Sequence, residues 1–164
     1  MRETDRRTFL RATGLAGGLS FVGIAAGQDT TTEEDGDDGL VTVESDDDFD
    51  ATVERIRSDI EDSGDMTLMT TVNHAENANS AGLNLRPTTL FLFGNPQIGT
   101  RLMQRSRTAG VDLPQKMLVW ETEDGTVNVT YNDPEWVAER HGADVPQMMV
   151  QQVSSALDSL ATGE

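Results

Sequence analysis

Residues 116–132 read KMLVWETEDGTVNVTYN, two β-prone runs on either side of Asp124-Gly125. An Asp-Gly pair between alternating apolar residues is a strong short-range hairpin signal. The tight turn needs positive φ at its centre, which Gly adopts freely and Asp tolerates. Strands over 116–122 and 126–132 are therefore expected to pair antiparallel. A lone hairpin is marginal in water, so further strands must join it. Three runs qualify: the alternating LVTVES at 40–45, and the β-prone runs at 66–72 and 86–93. The last two are separated by a polar, Asn-rich stretch at 74–85 that reads as a loop.

Helical signals lie between and after these strands. Phe49, Val53, Ile56 and Ile60 recur at helical spacing, Asp46 to Asp48 offer caps, and Gly64 suits a left-handed stop. Gly94-Asn95-Pro96 turns the chain, with Pro96 at a first helical position ahead of Ile98, Leu102 and Met103. Asp133-Pro134 caps a short helix that ends at Gly142. Asp144, with Gln147 three residues on, starts a last helix striped by Met149, Val153, Ala156, Leu157 and Leu160. The order is β-α-β-β-(α)-β-β-α-α and the class is α+β. A curved antiparallel sheet is expected to carry the long C-terminal amphipathic helix on one face, with a groove between them.

Upstream, Arg6-Arg7 followed by Phe9-Leu10 resembles a twin-arginine export signal, and the Gly/Ala-rich stretch at 15–27 is too short to span a bilayer as a permanent helix. Residues 1–27 are read as that signal. Residues 28–39, QDTTTEEDGDDG, are read as an acidic disordered spacer, and 40–164 as one α+β domain. The expected location is the extracellular or cell-surface space, in soluble form, with no integral membrane segment in the mature chain.

At 164 residues one domain is the natural size. The chain has no Cys, which excludes disulfide scaffolds, thiolate metal sites and a cysteine nucleophile. Its 12 basic residues face 29 acids, a net charge of -17 that opposes binding to nucleic acid or anionic lipid. Lys116 is the only lysine. Carboxylates without lysine suit molar salt, where repulsion is screened within a few ångströms.

Several blocks bring a family into view. Thr88-Thr89-Leu90-Phe91-Leu92-Phe93-Gly94-Asn95-Pro96, Gly99-Thr100-Arg101-Leu102-Met103, Gly110-Val111-Asp112-Leu113-Pro114, Val129-Thr130-Tyr131-Asn132-Asp133-Pro134 and Ala138-Glu139-Arg140-His141 follow in this order. The chain from about 40 to 160 resembles the domain of unknown function 302 (DUF302), as an exported haloarchaeal-type member. The resemblance implies a small TBP-like α+β domain, usually a homodimer, with no established activity. Many members carry an Asp-His pair before the variable loop. Asn73-His74 stands there in this chain, so the imidazole is kept and the carboxylate is not.

The candidate chemistry falls in two groups. His74, beside Asn73 at a strand end, suits a general base or a metal ligand, and His141 at a helix C-terminus suits a second ligand. Together with Met66, Met69, Met148 or Met149 they are candidates for a transition metal or a haem. Arg101 and Arg105, four apart on the helix that Asn95 opens, suit a small anion. Against these stand plain structural roles: a loop-ordering histidine, a helix-end histidine, methionines as core filler, and arginines paired with nearby carboxylates. No GxSxG, HExxH or Walker motif is present, and the sequon at Asn128 falls inside an expected strand. The leading expectation is a binding or interaction domain without turnover, holding a metal, haem or small anion in the groove. The alternatives are a small enzyme with His74 as base and Tyr131 or an arginine as electrophile, and a structural partner of another exported protein.

Overall fold

Five strands, β1 (Leu40–Glu44), β2 (Thr67–Asn73), β3 (Thr88–Gly94), β4 (Gln115–Glu121) and β5 (Val127–Asn132), form an antiparallel sheet in the order β1-β5-β4-β3-β2. The computed structural model describes residues 39–164; the expected signal segment and the spacer up to residue 38 lie outside the described residues. The Asp124-Gly125 hairpin forms as its chemistry dictates. Gly125 takes φ +90°, and β4 meets β5 in register from Met117 opposite Tyr131 to Glu121 opposite Val127. The hydroxyl of Thr122 and the N–H of Thr126 both donate to the Asp124 carboxylate, and these bonds, the Thr122 one foremost, hold it below its ordinary pKa.

Because β1 and β2 occupy opposite edges, helix α1 (Phe49–Asp62) between them has to cross the sheet. Asp48 caps it, accepting the Ala51 N–H at 2.9 Å. The final helix, α5 (Gln147–Thr162), packs beside α1 on the same face. Strand alternation explains the burial: every second residue of β3, including Phe91 and Phe93, points under these helices. There they meet Ile56 and Ile60 of α1, Met117 and Val119 of β4, Val129 of β5, and Leu157 and Leu160 of α5. Arg55 locks the two helices together by donating to the carbonyls of Leu160 at 2.9 Å and Ala161 at 3.1 Å, a cation on the negative end of α5. The fold is thus the α+β arrangement expected, with the long C-terminal helix on one sheet face.

Three shorter helices complete the described residues: α2 (His74–Ser80), α3 (Pro96–Arg105) and α4 (Pro134–Arg140), with a 3₁₀ turn over Arg107–Val111. The helix α2 replaces part of the loop expected at 74–85. Asn73 accepts the Glu76 N–H at 2.9 Å, so an Asn-x-x-Glu cap starts a helix that no apolar stripe announces. The last helix begins three residues later than expected. Pro146 itself takes the cap position in extended backbone, φ -60° and ψ 133°, so Asp144 does not serve as the cap. Gly39 is constrained twice, by φ +72° and by the ring of Trp136, which would collide with any added Cβ. Among the described residues no helix is long and apolar enough to cross a membrane.

Candidate functional site

At the end of the sheet where β2 and β4 begin and β3 ends, a cavity of about 580 Å³ opens between the sheet and α3, α4 and α5. It is built from the ends of elements. The α1–β2 turn contributes Asp65 and Met66, α3 turns Ile98, Leu102 and Met103 inward, and α5 supplies Met149, Val153 and Ala156. Met69 joins them because the β2–β3 register shifts between Leu68 and Thr70, leaving Met69 outside the ladder and 53% exposed. Polar groups are few: Asn95, Thr100, Gln115, Gln152 and Ser63. Among the described residues Asp65 is the one ionisable member of the lining. Met66, Met69 and Met149 were singled out by sequence and do share this space; Met148 is 79% exposed and does not line it. Met103 was missed as a candidate, although its place on the apolar side of α3 was the signal for it.

The two histidines do not meet. His74 opens α2 at the end of the sheet where Asn73 pairs with Thr89; His141 sits near the opposite end, where Gln115 pairs with Phe93. Four residue steps along β3 separate these two pairs, roughly 13 Å at the usual rise. His141 follows α4, its Nε2 2.7 Å from Asp112 Oδ2 and its Nδ1 3.1 Å from Thr108 Oγ1. Arg140 reaches the same Asp112 oxygen at 3.3 Å. With side-chain exposures of 8% for His141 and 12% for Asp112, this is a buried latch between the 3₁₀ turn and α4. Both imidazole nitrogens are engaged, so His141 offers a metal no free lone pair. Among the described residues no group of three or more His, Cys, Asp or Glu is placed to hold a metal ion.

Nor does Tyr131 join His74. It lies on β5, three strands from β2 and roughly 14 Å across the sheet, and is only 5% exposed. Burial, with the carboxylates of Asp158 and Asp133, raises its phenol above the ordinary value and keeps it protonated. The cationic group is also dispersed. Arg101 and Arg105 stand exposed on α3, away from the cavity lining and without an ion pair among the described residues. Asn95 is spent as the cap of α3, its Oδ1 accepting from Gln97 N at 2.9 Å and Ile98 N at 3.2 Å, so the first turn has fewer donors left for an anion.

Residues 41–160 match the family model described as "Domain of unknown function DUF302". The chain belongs to the DUF302 family. A solved DUF302 structure, the uncharacterized conserved protein from Bacillus stearothermophilus, superposes with a TM-score of 0.66 at 18% identity, covering 75% of this chain and 95% of that one. At that identity the likeness speaks for the fold. Curated relatives lie elsewhere: a protein of Brucella suis biovar 1 (strain 1330) named fluoride-specific ion channel FluC 1 is 50% identical over 105 residues, 64% of this chain and 41% of its own length. The fluoride-specific ion channel FluC 2 of Brucella melitensis biotype 1 matches equally over 38% of its length. This DUF302 chain therefore spans about two fifths of these relatives.

These relatives correct one expectation. A soluble protein of the extracellular or cell-surface space does not agree with half-identical relatives named as ion channels, since a channel works within a membrane. The short apolar stretch and the arginine pair gave an address from the first residues alone, and the relatives carry the matching stretch within a much longer chain.

Proposed function

We propose that this DUF302 domain is a small-ligand-binding module without turnover of its own, and that its site is the groove between the sheet end and helices α3 and α5. The carrying observation is a cavity of about 580 Å³ whose lining is mostly apolar, within the volume range of small-molecule sites. Methionine walls favour such a role, because unbranched thioether side chains adapt to ligand shape at little cost. A metal or haem held by His74 and His141 has no such support, as the two stand at opposite ends of the sheet. Adaptation to molar salt belongs to the proposal, resting on the charge of -17 and the single lysine.

The test is a fluorescence titration of the full chain with the uncharged apolar dye N-phenyl-1-naphthylamine, parent beside Ala156→Phe. Ala156 of α5 lines the cavity, and a phenyl group there occupies part of its space. Saturable binding by the parent, weakened at least tenfold in a variant whose circular dichroism is unchanged, is the expected result. A parent that binds no dye, or a variant that binds as well, refutes the groove as a site. The ion-channel relatives support a second element: the module serves beside a membrane ion channel. Recovery of the full chain with its host's membranes is then expected, and its absence there removes this element.

A further inference from the structure

We infer that the groove selects amphiphilic cations, ligands with an apolar body in the cavity and an ammonium or amidinium head against Asp65. This rests on the groove reading above and adds the charge of the ligand. Among the described residues Asp65 is the sole ionisable member of the lining; it stands exposed and has no hydrogen bond or ion pair with any other of them. The preceding helix adds to its field. α1 ends at Asp62 with no basic residue in its last turn, and Ser63 after it lines the cavity, so the negative carbonyl end of the helix lies close to Asp65 in the chain.

The features that would favour an anion are spent or remote. Asn95 takes the Gln97 and Ile98 N–H groups with its side chain and the Gly99 N–H with its carbonyl at 2.9 Å. Arg101 and Arg105 lie outside the lining. Met66 and Met69 flank Asp65 on the β2 side, where polarisable sulfur accommodates an alkylammonium better than a strongly hydrated ion. An exposed carboxylate in water gives a modest preference, about three- to fivefold for a cation over its neutral isostere, and more over an anion.

The experiment displaces bound N-phenyl-1-naphthylamine from the full chain with decyltrimethylammonium, decanol and decyl sulfate below their micelle concentrations, at the lowest KCl concentration that leaves circular dichroism unchanged. The parent is expected to rank cation over alcohol over sulfate. Asp65→Asn is expected to level the ranking while leaving decanol unchanged, and Ala156→Phe to weaken all three. Equal displacement by the three amphiphiles in the parent overturns the inference and leaves the groove standing. A ranking that survives Asp65→Asn, or cation binding that persists in Ala156→Phe as adsorption to surface carboxylates, also overturns it. Failure of the dye itself to bind removes the groove reading and this inference together.

Discussion

Replacing Asp112 by Ala cuts the latch between the 3₁₀ turn and α4 at its centre. The lost contact is a 2.7 Å hydrogen bond to His141 between side chains exposed by only 8% and 12%, where charge-assisted bonds are worth about 1.5–3 kcal/mol. The second contact, to an Arg140 that is 50% exposed, adds at most about 1 kcal/mol because water screens it. The expected loss is about 2–3 kcal/mol, and for a domain of this size a melting temperature lower by roughly 10 °C. Asp112→Asn retains an acceptor for His141 but no charge, and should cost about half as much. Urea unfolding of Asp112→Ala, His141→Ala and the double variant forms a cycle whose coupling energy should reach about 1–2 kcal/mol. A single-variant loss under about 0.5 kcal/mol, or a coupling of zero, refutes the latch. Because α4 and the segment after the turn supply Val137, Ala138, Leu113 and Pro114 to the groove, dye affinity should fall along with stability.

Tyr131 is the only tyrosine, so absorbance near 295 nm reads its ionisation directly. Burial raises its folded pKa, so the unfolded phenol ionises first, near 10, and the native state holds its proton longer. Stability should therefore be complete below pH 10 and decline as pH rises above it, a decline that Tyr131→Phe removes; a midpoint at or below 10 contradicts this. Carboxylates crowd α1 and the residues leading into it, from Asp46 to Asp62, and raising KCl from low to molar concentration should raise the melting temperature. A melting temperature that does not move counts against salt adaptation.

What was legible in the sequence was local chemistry. Asp124-Gly125, Asn95-Pro96 and Asp133-Pro134 each carry their own turn or cap, and each acts where it was expected. The helix over His74–Ser80 escaped because seven residues with Ala75 and Ala78 as their small apolar members make no stripe; only its cap betrayed it. Periodicity assigns a strand's faces but not its neighbours, so nothing in residues 40–45 put β1 beside β5. The candidate site was harder still. His141 and Asp112 lie 29 residues apart, and the groove gathers Asp65, Met103 and Ala156 from three separate turns or helices. Residue type nominated the histidines and arginines, whereas the space that forms is walled by methionines and aliphatic side chains, which as isolated letters look like core.

The division between ladder and groove bears on how such a domain diverges. Strand pairing is held by backbone groups and by the buried alternate residues of β3, β4 and β5, while the groove is lined largely by residues beyond the strand ends. Walls can be exchanged one helix end at a time without disturbing a single rung, and Met69, already outside the ladder at its register shift, is the extreme case. A sheet of this kind keeps its shape at 18% identity to the Bacillus stearothermophilus protein. Shared ancestry in the fold therefore leaves each lineage free to recut its own lock.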